Sequence, residues 1–183
     1  MNKILGIVGS PRKKGNTFEL VSKILEGSKL KGADTNIIYL EDLDINECNG
    51  CHTCWQGLEC SKKDDMNEIY PELIEADVII FGTPVYWFGP TALMKAFIDR
   101  FVYFNCPENR TKIKGTKAII VIPFEDDNFE TATPLEMMFE KSFEYLEINL
   151  INKIIVPGVG KKGDVLKKSN VLENCFNIGQ RII

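Results

Sequence analysis

The sequence predicts an α/β domain with a five-stranded parallel sheet wound on both faces by helices, and three observations carry that expectation. Short apolar runs alternate with segments of helical spacing through five cycles. Val78-Ile79-Ile80-Phe81 is apolar at every position, as suits a strand covered on both sides. A length of 183 residues with no internal repeat and no low-complexity linker fits one domain over 1–183, interrupted by a cysteine-rich insertion at about 44–64.

The elements follow in order. Ile4 to Val8 is a buried strand stopped by Gly9-Ser10-Pro11, and Phe18, Val21, Ile24 and Leu25 mark the helix after it. Thr35 to Leu40 is the second strand, and residues 44–64 show no clear period. A short helix through Ile69, Leu73 and Ile74 leads into the third strand, Val78 to Phe81. Residues 91–104 read as one helix, with Leu93, Met94, Phe97, Ile98 and Phe101 on one face. Ala118 to Ile122 is the fourth strand, Leu135 to Leu146 a helix, Ile151 to Val156 the fifth strand, and the chain from about Val165 is helical.

Composition narrows the function classes. Apolar residues make up 44% and charged residues 26%, with a net charge of −4. This acidic balance gives no basic face for nucleic acid. No apolar run is long enough to span a bilayer, and Met1 to Leu5 enter a strand directly, so neither a signal peptide nor a membrane anchor is expected. The expected compartment is the reducing cytoplasm, where clustered cysteines bind metal or do redox work rather than form disulfides.

In a doubly wound sheet, ligands bind beyond the carboxyl ends of the strands, where the strand order reverses. The first strand runs into Gly9-Ser10-Pro11-Arg12-Lys13-Lys14-Gly15-Asn16-Thr17 and then a helix. Free N–H groups at that helix start, the Ser10 and Thr17 hydroxyls and the Asn16 amide suit a phosphate, and Arg12 adds charge. The glycine spacing matches neither a P-loop nor a dinucleotide fingerprint. The plain alternative is a polar turn with a helix cap.

The third strand ends in Thr83-Pro84-Val85-Tyr86-Trp87-Phe88-Gly89-Pro90. Successive side chains of a strand point to opposite faces, so three consecutive aromatics cannot all enter the core. A flat ring such as an isoalloxazine fits this loop, which offers apolar faces and backbone amides; a subunit contact is the other reading.

Four of the six cysteines, Cys48, Cys51, Cys54 and Cys60, are spaced C-x2-C-x2-C-x5-C. The first three, at i, i+3 and i+6, suit three corners of an iron–sulfur cubane, and Cys60 is near enough for the fourth. Zinc on these cysteines, or on three of them with His52, remains open, as does an empty site. His52, the only histidine, is given no catalytic role. Cys106 and Cys175 read as structural thiols. The acidic residues Asp64, Asp65, Glu125, Asp126 and Asp127 read as solvated helix starts or turns.

Taken together, Gly9-Ser10-Pro11-Arg12, Gly15-Asn16-Thr17, Pro84-Val85-Tyr86-Trp87 and Lys95-Ala96-Phe97-Ile98-Asp99-Arg100 resemble the NADPH-dependent FMN reductase family of flavodoxin-like proteins. With the cysteine run and Asp64-Asp65-Met66, the chain is most similar to the iron–sulfur flavoproteins of that group. The resemblance covers about residues 3–102 and returns at Gly160 to Asp164. It implies the strand order 2-1-3-4-5 and FMN, with phosphate on Ser10, Arg12, Asn16 and Thr17. The ring would lie beside Pro84, Val85, Tyr86, Trp87, Phe88 and Gly89. Also implied are a 4Fe-4S cluster on all four cysteines and a homodimer or homotetramer. One departure is the glycine-free acidic loop Pro123 to Phe129, where family members often have a glycine-rich turn; it puts the third flavin contact in question.

The expected activity is therefore flavin-dependent electron transfer, with no side chain acting as nucleophile or proton shuttle. Electrons would come from a ferredoxin-like donor through the cluster, or from NAD(P)H. The alternatives are a cluster-free NAD(P)H-dependent reductase of flavin, quinone or nitro compounds, and a binding module without redox turnover.

Overall fold

The computed structural model describes residues 1–182. Five parallel strands lie side by side in the order 2-1-3-4-5. They are β1 (Lys3–Val8), β2 (Asp34–Tyr39), β3 (Val78–Gly82), β4 (Lys117–Pro123) and β5 (Asn149–Val156). Helix α1 (Asn16–Leu30) joins β1 to β2, and α2 (Met66–Glu75) joins β2 to β3. Helices α3 (Ala92–Asp99) and α4 (Pro107–Ile113) lead to β4, α5 (Thr133–Leu146) leads to β5, and α6 (Ser169–Arg181) follows it. The chain leaves β1 toward β2 on one side and returns to β3 on the other, so the switch point lies between the ends of β1 and β3.

Alternation along the strands splits the core in two. Leu5, Ile7, Ile79, Phe81, Ile120 and Ile122 pack with α2, α3 and α5 on one face. Ile4, Val8, Val78, Ile80, Ile119 and Val121 pack with α1 and α6 on the other. On that second face the helices touch through backbone. A Cβ on Gly27 would stand 2.1 Å from the Phe176 carbonyl oxygen, and one on Gly179 would stand 2.0 Å from that of Ile24. The Ser28 hydroxyl lies 3.0 Å from both the Ile24 and Gly179 carbonyls and is buried there.

Two expected helices are corrected. The segment read as one helix over 91–104 is α3 only to Asp99, and then tightens to a 3₁₀ helix over Arg100–Asn105. Pro107 explains the ending: it holds Cys106 extended, at φ −74° and ψ 148°, and opens α4 in its own first turn. The C-terminal helix begins at Ser169, after a 3₁₀ turn over Asp164–Lys167, and not at Val165. Among the described residues no helix is long and apolar enough to cross a membrane.

Candidate functional site

A cleft opens at the switch point. Gly9 N–H donates to the Gly82 carbonyl at 2.8 Å, holding the ends of β1 and β3 together. The Thr91 hydroxyl caps α3 by accepting from Met94 N–H at 3.1 Å, and itself donates to the Gly9 carbonyl. After a turn closed by Gly15 N–H on Arg12 O (3.0 Å), the first i→i−4 bond of α1 runs from Glu19 N–H to Gly15 O. The N–H groups of Asn16, Thr17 and Phe18 therefore lack helical acceptors at the positive end of the helix dipole. Such a helix start is suited to an anion.

Ser10, Arg12, Asn16 and Thr17 line this cleft together with Pro84, Val85 and Tyr86. The side chain of Asn16 is committed elsewhere. Its amide nitrogen donates to the carbonyls of Val159 (3.0 Å) and Lys161 (2.9 Å), and its oxygen accepts from Val165 N–H at 3.2 Å. Arg12 likewise gives one guanidinium N–H to Gly160 O at 2.7 Å. Both residues brace the loop after β5, so what Asn16 can offer an anion is its backbone N–H.

Trp87, Phe88 and Gly89 do not line the cleft. Tyr86 and Gly89 exchange backbone hydrogen bonds of 2.8 and 3.0 Å around a two-residue turn whose corners are Trp87 (φ 50°) and Phe88 (φ 63°). That geometry normally calls for Asn-Gly, because both corners are left-handed. Trp87 is 95% exposed at its tip. The turn therefore holds Trp87 and Phe88 in solvent.

The third wall was not expected in this form. Pro123 at the end of β4, Phe124 and Glu125 after it, and Val159, Gly160 and Lys162 beyond β5 complete the lining. Phe124 N–H donates to Val156 O (3.0 Å) and Val159 N–H to Phe124 O (2.8 Å), so the two loops prolong the β4–β5 ladder. A Cβ on Gly160 would sit 2.7 Å from the Glu125 side chain, and one on Gly158 (φ 67°) 2.6 Å from the Asp127 carboxylate. The glycines absent from the 123–129 loop are thus supplied by its neighbour, which makes room for the acidic side chains. The repeat of the resemblance at Gly160 was the available signal.

The insertion forms a second site. Its base is clasped where Asp44 N–H donates to Asp65 (2.7 Å), Asn46 N–H to Asp64 (3.0 Å), and Asp65 N–H back to Asp44 O (3.1 Å). Left-handed Gly50, His52 and Gly57 fold the loop between, and Trp55 Nε1 pins it to Val102 O at 3.2 Å. Cys48, Cys51, Cys54 and Cys60 all line one narrow cavity. No group of three or more His, Cys, Asp or Glu converges on a single-ion position among the described residues. Hydroxyls of Ser61 (3.0 Å) and Thr53 (3.4 Å) lie on the Cys51 sulfur and lower its thiol to about 7, into the range where thiolate forms readily. Cys106 and Cys175 are buried and do not line this cavity, and burial pushes the Cys175 thiol up to about 12.

Asp64 does not behave as a solvated helix start. Its side chain is 3% exposed and pairs at 2.6 Å with Arg100, itself 1% exposed. Arg100 also donates to Asn46 O at 2.9 Å and to the Cys60 sulfur at 3.2 Å. Arg100 falls three residues after Phe97 on the buried helical face. An arginine in an apolar stripe was the signal for a buried partner.

A parallel sheet of this order, with an anion-binding helix start and a cleft at the β1/β3 switch point, defines the flavodoxin-like class of nucleotide-binding domains. The model of the family described as NADPH-dependent FMN reductase matches residues 2–139. The chain belongs to that family, one of flavin-dependent oxidoreductases. An iron–sulfur flavoprotein of Archaeoglobus fulgidus is 44% identical over 156 residues, 85% of this chain and 77% of that one. Another from Methanocaldococcus jannaschii is 43% identical, over 54% of this chain and about half (51%) of its own length. The solved NAD(P)H:quinone oxidoreductase of Methanothermobacter marburgensis superposes with a TM-score of 0.75 at 17% identity, covering 98% of this chain and 95% of that one, which bears on the fold.

Proposed function

We propose that this chain acts as one FMN-binding domain over residues 1–183, whose cysteine insertion carries a 4Fe-4S cluster, and that it passes electrons between a donor and an acceptor. One observation carries the cluster half: all four cysteines of the motif line a single cavity. The 44% identity to an iron–sulfur flavoprotein supports the same reading.

FMN, when bound, supplies the capacity to take up two electrons and to release them singly or together. The residues of the chain bind, orient and shield it. Its phosphate is assigned to the first turn of α1, with Ser10, Arg12, Asn16 and Thr17. Its ring is assigned to the side formed by Pro84, Val85 and Tyr86, with Phe124 opposite. Arg12 and Lys162 supply positive charge to the cleft, and Glu125 places an acid at its rim. The exposed Trp87-Phe88 turn, with Gly89 closing it, suits a second copy of the chain in a homodimer or homotetramer. Cys48, Cys51, Cys54 and Cys60 hold the irons, in a reducing compartment such as the cytoplasm. With a cluster present, a ferredoxin-like protein is the fitting one-electron donor.

Iron, acid-labile sulfide, zinc and FMN per chain, measured on protein purified without oxygen, test this directly. About four irons and four sulfides with one FMN are expected. FMN accompanied by zinc, or by no metal, would remove the cluster and leave a two-electron reductase. The family description favours NADPH as donor in that second reading, and rapid bleaching of the bound flavin by NADPH alone would identify it. Protein that binds no FMN would overturn both.

A further inference from the structure

We propose that Arg100 is a positioning residue for the cluster: its guanidinium donates a hydrogen bond to the Cys60 sulfur and raises the reduction potential of the iron site. The inference rests on the cluster reading above. Arg100 is almost wholly buried beside the cysteine cavity, which it lines. Its Nη1 serves the frame of the insertion, donating to Asp64 at 2.6 Å and to Asn46 O at 2.9 Å. Its Nη2 points the other way and meets the Cys60 sulfur at 3.2 Å. The Tyr70 hydroxyl, donating to the Arg100 carbonyl at 3.2 Å, fixes the backbone from which the side chain extends.

A purely structural clamp would need only the Nη1 side, which joins the two ends of the insertion. The Nη2 contact has no purpose in that clamp. The other sulfurs differ: Cys51 has neutral hydroxyls nearby, and Cys48 accepts from Gly50 N–H at 3.4 Å. Cys60 alone among the four accepts a hydrogen bond from a cationic side chain among the described residues, and charge-assisted hydrogen bonds are roughly twice as strong as neutral ones. Asp64 cancels much of the guanidinium charge at a distance, so what acts on the sulfur is the local N–H.

The direction follows from charge. A 4Fe-4S cluster with four thiolates gains one negative charge when one electron enters, and no proton need accompany it. Part of that charge resides on the sulfurs, so a donor at sulfur stabilises the reduced form more than the oxidised one. Removing the donor must lower the potential.

The test uses anaerobically purified protein, with dithionite as one-electron reductant and dye mediators for the titration. Iron and sulfide are counted first. If the wild-type chain carries no iron, the cluster reading and this inference fall together, before any potential is measured. With about four irons per chain, two measurements decide the inference alone. In wild-type protein grown with arginine labelled with ¹⁵N in its guanidinium, pulsed EPR of the reduced cluster should show a ¹⁵N coupling. In Arg100→Lys, whose single ammonium is taken by Asp64, the midpoint potential should fall and that coupling should vanish. An iron-replete wild type without the nitrogen coupling overturns the inference, as does an iron-replete variant with an unchanged potential. If the variant fails to hold iron, the coupling in native protein decides.

Discussion

Asn16 shows how much one side chain can hold. Its amide closes three hydrogen bonds to a loop more than 140 residues away in sequence, at Val159, Lys161 and Val165. Asn16→Ala leaves Val165 N–H and two carbonyls to find other partners, at a cost of about 2–4 kcal/mol. FMN affinity should fall with it, since the loop walls the cleft; thermal melts with and without FMN check both, and an unchanged apo-protein melt would refute the brace. The sequence reading made Asn16 a phosphate ligand because the turn supplies polar atoms and nothing nearby reveals a distant loop. Asp64 reads as solvated in the sequence because its partner lies 36 residues on. Burial works to raise the Asp64 carboxyl, but hydrogen bonds from Arg100 and Asn46 N–H outweigh it, and the group is held below its ordinary value. Its folded-state value therefore lies below the unfolded one. Its contribution to stability is complete above about pH 4 and is lost as pH falls through the folded value. Asp64→Asn should be less stable than wild type at pH 7, and the gap should close on acidification below about pH 4. A gap that stays constant with pH would remove Asp64 from the account.

Among the elements, legibility followed burial. Strands β1, β3 and β4 were plain because a sheet covered on both faces leaves unbroken apolar runs. Helix α4 passed unseen, since only Asn109 and Ile113 of its seven residues are buried and no periodic stripe forms. The aromatic turn was half legible: alternation forbids three rings in the core, but nothing in Tyr-Trp-Phe-Gly announces two left-handed corners. The crossing of α1 and α6 was hidden as well, because Gly27 and Gly179 look like weak points in helices until their partners are known. Gly179→Ala should gain roughly 1 kcal/mol in helix propensity. The clash of its Cβ at 2.0 Å from the Ile24 carbonyl should outweigh that gain, for a net loss of about 1–3 kcal/mol. Urea unfolding measures it; a more stable variant would mean that the helices separate at no cost.

Across the whole molecule, the two sites are neighbours of one short helix. Thr91, capping the start of α3, bonds to the Gly9 carbonyl beside the cleft, while Arg100 just past its end bonds to Cys60. Nine residues at 1.5 Å per residue separate them by about 13 Å along the axis. Yet the cleft and the cysteine cavity share no lining residue. FMN binding should therefore survive loss of the cysteines. Protein with Cys48, Cys51, Cys54 and Cys60 all changed to Ser should contain no iron and still respond to FMN. At a hundredfold excess over the dissociation constant, a ligand specific for the folded state contributes about 2.7 kcal/mol. For a chain of this size that raises Tm by roughly 5–11 °C. The comparison is the Tm increase caused by FMN in the wild-type and four-serine proteins, each at the same multiple of its own dissociation constant, together with the two dissociation constants. Matching constants and matching increases mean that α3 joins two independent cofactor sites. A four-serine protein that binds FMN at least tenfold more weakly means that the insertion shapes the cleft through α3, and that cluster loss in air would cost the flavin too.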